Sequence, residues 1–496
     1  MTLDPNSPDS VGSASPPPGC PAHGAPRLDA IEGASERAAL YERLRGEYGA
    51  VAPVRIPGDL PAWLVLGHRE VLEVVRTPSK FSRDSRLWTA VRQGQVTPEH
   101  PLAPVTAWQP VCSFADGEEH KRLRSAVTQS IGRVDRHGMR RYVNRFTGQL
   151  VQQFGTTGRA DLVSQFAAQL PMLVMSRLIG LSEQHGPQLV TWVQDVIRGT
   201  ASAGESNTLI VSLLRELVER KRGTPGQDIT SWLILHEEGL ADHEVLEHLR
   251  FLLISANTTT TNLITSTLVV TFTDRRLRAN LAGASMTLTD ALDQVLWDSP
   301  PMTVVPGRWA TGDTTLAGQE IREGDLLLLG LLAGNSDPAV RPDLSVPVHR
   351  NRSHLSFSGG PHECPGQDIG RGIAETGIDA LLHLLPDLRL AVGEDELEWD
   401  DSWLSSHLTH LPVVFTPRRT SGEPVGVSPE PANSVVRQAA MSVPGQSAEL
   451  PPAAPPSPPP APSTAPSGAH EPSTAADPRQ RGWLRRKNAT RTGRWS

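Results

Sequence analysis

The chain has 496 residues, with 47 Lys and Arg against 54 Asp and Glu, a formal net charge of -7 and a pI of about 6.2. That length allows one large domain or two to three ordinary ones, and the acidic balance supplies no overall positive field that would recommend nucleic acid as a partner. The three cysteines, Cys20, Cys112 and Cys364, lie far apart without paired spacing, which points to a reducing compartment and against a disulfide framework.

Composition divides the chain into a disordered leader at 1–25, a globular body at 26–417 and a tail at 418–496. The leader is rich in Pro, Ser, Gly and Asp and has no basic n-region or apolar h-region, so it does not read as a secretory signal. In the body, Val51 to Val65 carries short alternating runs around Gly58 and Pro61 that predict a hairpin, followed by a helix from about Arg69. Acids in the first turn of Asp116 to Arg124 open a helix. Apolar residues at three-to-four spacing predict helices over Met139–Phe154, Asp161–Leu181, Val190–Ile197, Asn207–Arg222, Asp242–Thr271 and Leu288–Trp297. Strand signals recur near Leu316 to Ile321 and Leu390 to Val392. The apolar run Leu326 to Ala333 falls short of the roughly 18 residues of a membrane span, so a soluble, cytoplasmic protein is expected. The tail is dominated by Pro, Ala, Ser and Gly to Pro478 and cannot bury enough to fold. It ends in a basic and aromatic cluster, Arg481 to Lys487 with Arg491, Arg494 and Trp495, which reads first as a solvated charged end and second as a dock for an anionic membrane surface or nucleic acid, and the tail as a whole as a segment that could recruit a partner.

The most informative stretch is Phe357-Ser358-Gly359-Gly360-Pro361-His362-Glu363-Cys364-Pro365-Gly366. A lone thiol in a Gly-rich loop that runs into a helical pattern is placed to ligate a metal through its thiolate, stabilised by backbone N–H groups and the helix N-terminus. One cysteine does not build a zinc site, whereas a haem iron takes a single axial thiolate. A buried structural cysteine after a turn is the other reading of these residues alone. The stretch resembles the signature of the cytochrome P450 family, Phe-x-x-Gly-x-x-x-Cys-x-Gly: Phe357, Gly360, Cys364 and Gly366 match it in register, and His362 and Arg371 match its commoner bacterial form. The resemblance implies a mainly α fold, a triangular helix-rich body with small β-sheets, carrying haem b with Cys364 as the axial ligand of the iron.

Further positions follow from that resemblance. His120 and Arg124 stand at i and i+4 on one helix face and are similar to the pair that grips a haem propionate, although a solvated face is the plain alternative. Arg308 and His354 match the remaining propionate contacts by position. In Leu252 to Asn262, Ser255 and Ala256 take the family's Ala-Gly positions over the haem, Thr258 takes the acid position and Thr259 the alcohol, which makes Thr259 and Thr258 the candidate catalytic pair. Thr258 replaces an acid, so proton delivery would run through hydroxyls and water; without the resemblance, the threonines read as residues satisfying carbonyls one turn earlier. The family's Glu-x-x-Arg is also altered. Asp293 stands on the Glu and Leu296 on the Arg, within Asp293-Gln294-Val295-Leu296-Trp297, as in an actinobacterial branch with Asp/Glu-Gln-x-Leu-Trp, and Asp293 is expected to pair with Arg350 or His349.

The activity implied is that of a monooxygenase placing one atom of O2 into a small, mainly apolar organic substrate. The body has no strand followed by Gly-x-Gly-x-x-Gly for a flavin or nicotinamide, so electrons are expected from a separate ferredoxin-type donor and its reductase, docking near Arg122, Arg371 and Arg352. The substrate pocket is expected between Ser255 and Ala256, the loop from Leu87 to Val111, Met302 to Val305 (with Val304 and Val305 facing it) and the turn at Leu411. A low-turnover haem-binding sensor whose tail recruits a partner, and a peroxide-driven oxygenase, are the alternative readings.

Overall fold

The computed structural model describes residues 24–418 except 32, 98–99, 274–286 and 349–350. The leader to residue 23, the tail from 419, and His349 and Arg350 lie outside the described residues. Helices dominate, as periodicity predicts. They run over Gly33–Tyr48, His68–Arg76, Gly117–Gly132, Arg136–Phe154, Gln169–Ile179, Gly186–Arg198, Ala203–Gly223, Asp242–Thr273, Leu288–Asp298 and Gln367–Leu384, with shorter turns between.

The Asp242–Thr273 helix has 32 residues, about 48 Å at 1.5 Å per residue. From Leu263 onward it is buried almost all round, as its side chains from Leu263 to Phe272 show, and a helix apolar on all faces belongs inside a core. Leu253, Leu263, Ile264 and Leu268 join Val143, Phe146 and Leu150 of the Arg136–Phe154 helix and Ile373, Ile378 and Leu381 of the Gln367–Leu384 helix in the main hydrophobic cluster. Among the described residues no helix is long and apolar enough to cross a membrane.

A five-stranded sheet lies beside the helices in the order Val51–Ile56, Leu60–Val65, Leu326–Gly330, Val304–Ala310, Phe81–Ser82. The first two strands form the predicted hairpin, with Val51 opposite Val65 and Ile56 opposite Leu60. Leu60–Val65 then pairs in parallel with Leu326–Gly330, Trp63 against Leu327. The apolar run at Leu326 is therefore a central strand, covered on both faces, which is why it lacks alternation. Val304–Ala310 pairs antiparallel with it, and the register shifts between Val305 and Arg308. Gly307 occupies that bulge at φ +101°, and the extra residue re-aims the side chain that follows: Arg308 turns inward and is only 3% exposed.

The expected helix from Asp161 to Leu181 starts later. Arg159–Asp161 is a strand opposite Pro412–Val414, and after one π turn at Val163–Ala167 the helix proper covers Gln169–Ile179. The Asp161 carboxylate causes the break, accepting the Leu411 N–H at 2.7 Å and those of Val163 and Ser164 at 3.3 and 3.2 Å, the role of a residue ahead of a helix. Leu316 to Ile321 resolves into a hairpin of Thr314–Leu316 and Gln319–Ile321, and the later strand covers Arg389–Leu390.

One buried amide ties together the elements that carry the Cys364 loop. Asn335, fully buried, donates to the Leu296 and Trp297 carbonyls at 3.0 and 3.1 Å and accepts the Leu355 N–H at 2.8 Å. Asn335→Ala removes three bonds at once and strands their backbone partners, at about 1–3 kcal/mol for a buried group left unpaired. A clear drop in thermal midpoint is expected, whereas Asn→Ala at the loop residue Asn351, whose side chain bonds only within its own turn to Ser353, should change it little.

Candidate active site

The Cys364 loop is a short irregular path between two elements. The Cys364 N–H donates to the Phe357 carbonyl at 2.9 Å, Glu363 N–H to Gly360 at 3.1 Å and Ser358 N–H to Leu355 at 2.7 Å. Gly360 sits at φ +65°, and a Cβ there would strike the Val75 carbonyl, so only glycine lets the loop lie against the His68–Arg76 helix. Ser358 also has positive φ, +60° with ψ -148°, a region other residues avoid. Past Cys364, Gly366 begins the Gln367–Leu384 helix. Burial pushes the Cys364 thiol up, against the lowering influence of the Gly366 N–H and Arg124; a bound metal ion would override burial, because a coordinating thiol is deprotonated outright.

Cys364, Phe357 and Gly366 line a cavity whose other wall is the long helix. That helix contributes His248, Leu252, Ser255, Ala256, Thr259 and Leu263, a three-to-four spacing that defines one face. Thr258 lies off this face and does not line the cavity; Thr259 does, and its hydroxyl donates to the Ser255 carbonyl at 2.8 Å. Val305 lines the cavity but Val304 does not, because neighbouring residues of a strand point to opposite faces. Leu411 is also absent from the lining; it is fully buried in the core beside Asp161. The segment from Leu87 to Val111 stops just short, and Cys112 and Ser113 form the wall instead. Sequence reasoning missed Cys112, Ser113 and His248. His248 was within reach, standing one turn before Leu252 on the lining face. Its Nε2 accepts the Cys112 N–H at 3.0 Å and its Nδ1 meets the Glu244 carbonyl at 2.7 Å, which fixes a neutral ring with the proton on Nδ1, and burial lowers its pKa.

A second group is buried nearby: His120, Arg308 and His362, with Arg124 beside them, and separately His354, which neighbours Phe357 and Arg371; of these His362 lines the cavity. His120 packs on His362 with ring centroids 4.1 Å apart, and its Nε2 has no partner. Both ring nitrogens of His354 are likewise unpartnered. Arg308 donates to the Gly307 carbonyl at 3.0 Å, and burial, then the neighbouring Arg83, holds its pKa far below the usual guanidinium value. Arg83 itself is spent on the carbonyls of Ser113, Pro306 and Gly307 at 2.7, 3.0 and 2.6 Å. The carboxylate beside these groups is Asp116, bonded to His362 at 3.1 Å; burial opposes its ionisation, but bonds from His362 and Ser82 hold its pKa down. Arg124 reaches the Glu363 carbonyl of the Cys loop. Buried cations in excess, with unpartnered imidazole nitrogens, fit a ligand that brings negative charge. Among the described residues no cluster of three or more His, Cys, Asp or Glu side chains could hold a bare metal ion. An apolar slot over one thiol, edged by cations, instead fits a flat macrocycle bearing carboxylates.

The partners expected for Asp293, Arg350 and His349, lie outside the described residues. Asp293, 1% exposed, contacts Arg371 and meets Arg352 Nε at 3.3 Å. Among the described residues its partners are thus Arg352 and Arg371, with Arg371 projecting from the helix after the cysteine. Leu296 is fully buried and lines the cavity. Of the three arginines expected to meet an electron donor, Arg371 is 11% exposed and held by Asp293, Arg122 is 33% exposed and held by Glu244, and Arg352, also on Asp293, is 63% exposed.

A thiol loop, cavity and cationic rim on a helix-rich body define a haem-thiolate protein, and comparison with known proteins agrees. No protein-family model matches the chain. The chain is 29% identical over 384 residues to 2-hydroxy-5-methyl-1-naphthoate 7-hydroxylase of Streptomyces carzinostaticus, covering 75% of this chain and 93% of that one. It is also 29% identical over 387 residues to vitamin D(3) 25-hydroxylase of Pseudonocardia autotrophica, covering 76% and 93%. Among solved structures, CYP154A1 of Streptomyces coelicolor A3(2) superposes with a TM-score of 0.70 at 26% identity, over 79% of this chain and all of that one. The chain belongs to the cytochrome P450 family. It is a P450 monooxygenase, and its cofactor is haem.

Two outcomes test the site. Ser358→Gly relieves a strained backbone and should raise the thermal midpoint, by roughly 1–3 kcal/mol of stability; a drop would show that the side chain matters more than the strain. Burial, then Arg371, lowers the His354 pKa from 6.5 to about 4. In the haem-free protein the unfolded state therefore takes up this proton first as pH falls. The stability due to the neutral ring is complete above pH 6.5 and is lost towards about pH 4, on the order of 3 kcal/mol. His354→Phe should flatten that slope in pH-dependent melts of the apoprotein.

Proposed function

We propose that the chain hydroxylates a small, mainly apolar organic molecule in the cytoplasm, with electrons from a separate ferredoxin-type protein and its reductase. One O2, two electrons and two protons would yield hydroxylated product and water. The observation that carries this reading is the cavity itself: Cys364 on one wall faces Ser255 and Thr259 on the other, and Phe251, Leu252, Met302, Val305 and Leu331 supply most of what a ligand would touch. Pockets so lined favour apolar ligands with few polar anchors.

When bound, the haem supplies a thiolate-ligated iron at which dioxygen is activated. Cys364 would hold that iron, Phe357, Gly360 and Gly366 would shape the loop around it, and His120, Arg124, Arg308 and His354 would meet the propionates. Arginine suits such a carboxylate through its planar fork. Thr259 keeps its hydroxyl hydrogen on the Ser255 carbonyl, so its oxygen offers lone pairs to the cavity and would accept a hydrogen bond from a water there. Thr258 cannot ionise in the useful pH range, and the half-buried position it occupies off the lining supports a supporting role at most, through water. The polar anchors for substrate are the Ser113 and Ser255 hydroxyls, since both nitrogens of His248 are already engaged.

The test is a spin-state titration of the ferric protein with a panel of apolar and charged small molecules, followed by turnover with NADPH and a surrogate ferredoxin system. Apolar compounds should shift the spin state and be hydroxylated. Product with peroxide alone would replace the ferredoxin reading, and no product under either regime despite a sound thiolate spectrum would remove the enzymatic one. Thr259→Ala should leave that spectrum unchanged and cut product formed per NADPH consumed by about tenfold, below the roughly 10²–10⁴-fold of a direct acid–base group because Thr259 would act through water.

A further inference from the structure

Asp293 is a carboxylate with 1% of its side chain exposed, and it stands between two guanidiniums that bracket the thiol loop in sequence. Arg352 lies twelve positions before Cys364 and Arg371 seven after it. Burying the carboxylate is costly unless it is paired, and Arg371, at 11% exposure, is nearly as confined. Among the described residues Arg371 has no other ionic partner, so the pair resists separation. Asp293 rides on the Leu288–Asp298 helix, which is itself fixed on the segment ahead of the loop through Asn335 and the Ser356 hydroxyl on the Leu296 carbonyl. A single carboxylate thus anchors both arms of the loop to one helix.

We propose that Asp293, through Arg371 and Arg352, is the positioning residue that sets the height and orientation of the Cys364 sulfur, doing across the loop what a Glu and Arg three apart on one helix would otherwise do ahead of it. The inference rests on Cys364 as the iron ligand. It assigns Arg371 to the architecture of the thiolate and removes it from the electron-donor surface. Arg352, 63% exposed, is the weaker arm, because a solvated ion pair contributes little.

The experiment uses the full-length holoprotein and reads two quantities: the rate of haem loss to excess apomyoglobin, and the fraction of ferrous–carbon monoxide complex showing the red-shifted Soret band of an intact thiolate. Asp293→Asn and Arg371→Gln should each speed haem loss by about tenfold or more, the scale of a broken buried pair, and convert part of the spectrum to the unshifted form. The Asp293→Asn, Arg371→Gln double variant should be no worse than either single one, because the singles each strand a charge. Asp293→Glu should recover most of the thiolate fraction, and Arg352→Gln should change haem loss by less than about threefold. Wild-type haem retention and spectrum in Asp293→Asn, or effects that multiply in the double variant, would overturn the proposal. If the single variants do not accumulate, Asp293→Glu and Arg352→Gln still decide it, because faster amide exchange across 357–366 in the former is expected and its absence is contrary. A wild-type protein without the red-shifted band, or its retention in Cys364→Ala, would instead overturn the thiolate assignment beneath it.

Discussion

The hydrogen bond from the Cys364 N–H to the Phe357 carbonyl, 2.9 Å, closes the loop on which the rest of the site depends. It turns eight residues of irregular backbone into a unit that presents one sulfur to a cavity. Its cost is visible next to it, in the positive φ of Ser358 and the close approach of Gly360 to Val75. Irregular backbone of this kind persists only where surrounding structure over-determines it. Here the supports are the His68–Arg76 helix beneath, the Gln367–Leu384 helix continuing from Gly366, and the long helix across the cavity.

Charge supplies the second constraint. Arg308, His120, His354 and His362 are drawn inside by the folds that carry them, a strand bulge in the case of Arg308, and burial first, then neighbouring positive groups, drives the pKa of each downward. The buried Arg308 guanidinium and the unpartnered nitrogens of His120 and His354 leave donor capacity suited to a group that brings negative charge. The same desolvation that weakens these groups without a ligand strengthens their bonds to one. Stability and cofactor binding are therefore coupled through the same residues.

What was legible in the sequence follows the range of each interaction. The hairpin and the long helices could be read because their signal is periodic and local, and the loop because Phe357, Gly360, Cys364 and Gly366 each have a local reason to be where they are. The sheet order could not, since Trp63 opposite Leu327 joins segments 264 positions apart and no spacing encodes that pairing. Asp161 shows a subtler failure: apolar periodicity runs straight through it, while its carboxylate bonds to the Leu411 N–H decide that the chain is a strand there. One error at the site was avoidable from geometry alone, since Val304 and Val305 could not both face one cavity from a strand. The pairing of Asp293 with Arg352 and Arg371 was not legible in this way, because arginines on both sides of the loop are equally available in sequence and only the packing brings these two to it.

The loss of the arginine from the altered motif is tolerable because its mechanical task is shared among neutral bonds. Trp297 Nε1 donates to the Asn351 carbonyl at 2.7 Å, Gln294 accepts the Val348 N–H at 3.0 Å, and the Ser356 hydroxyl donates to the Leu296 carbonyl. These join Val348, Asn351 and Ser356 to the Leu288–Asp298 helix by neutral bonds, beside the Asp293–Arg352 ion pair. The Trp297 ring lies 6.3 Å from that of His68, roughly parallel, and meets His354 edge-on at 6.1 Å, so it also packs a propionate candidate in place. Replacing one member of a buried ion pair by an apolar residue is ruinous when the other charge is left alone, and close to neutral when that charge is paired again. Leu296 fills the vacated position with apolar volume at the edge of the cavity, and Asp293 turns to the arginines on either side of the cysteine. The directional hold and the charge balance, which a Glu and Arg would supply together, are thus provided by separate residues.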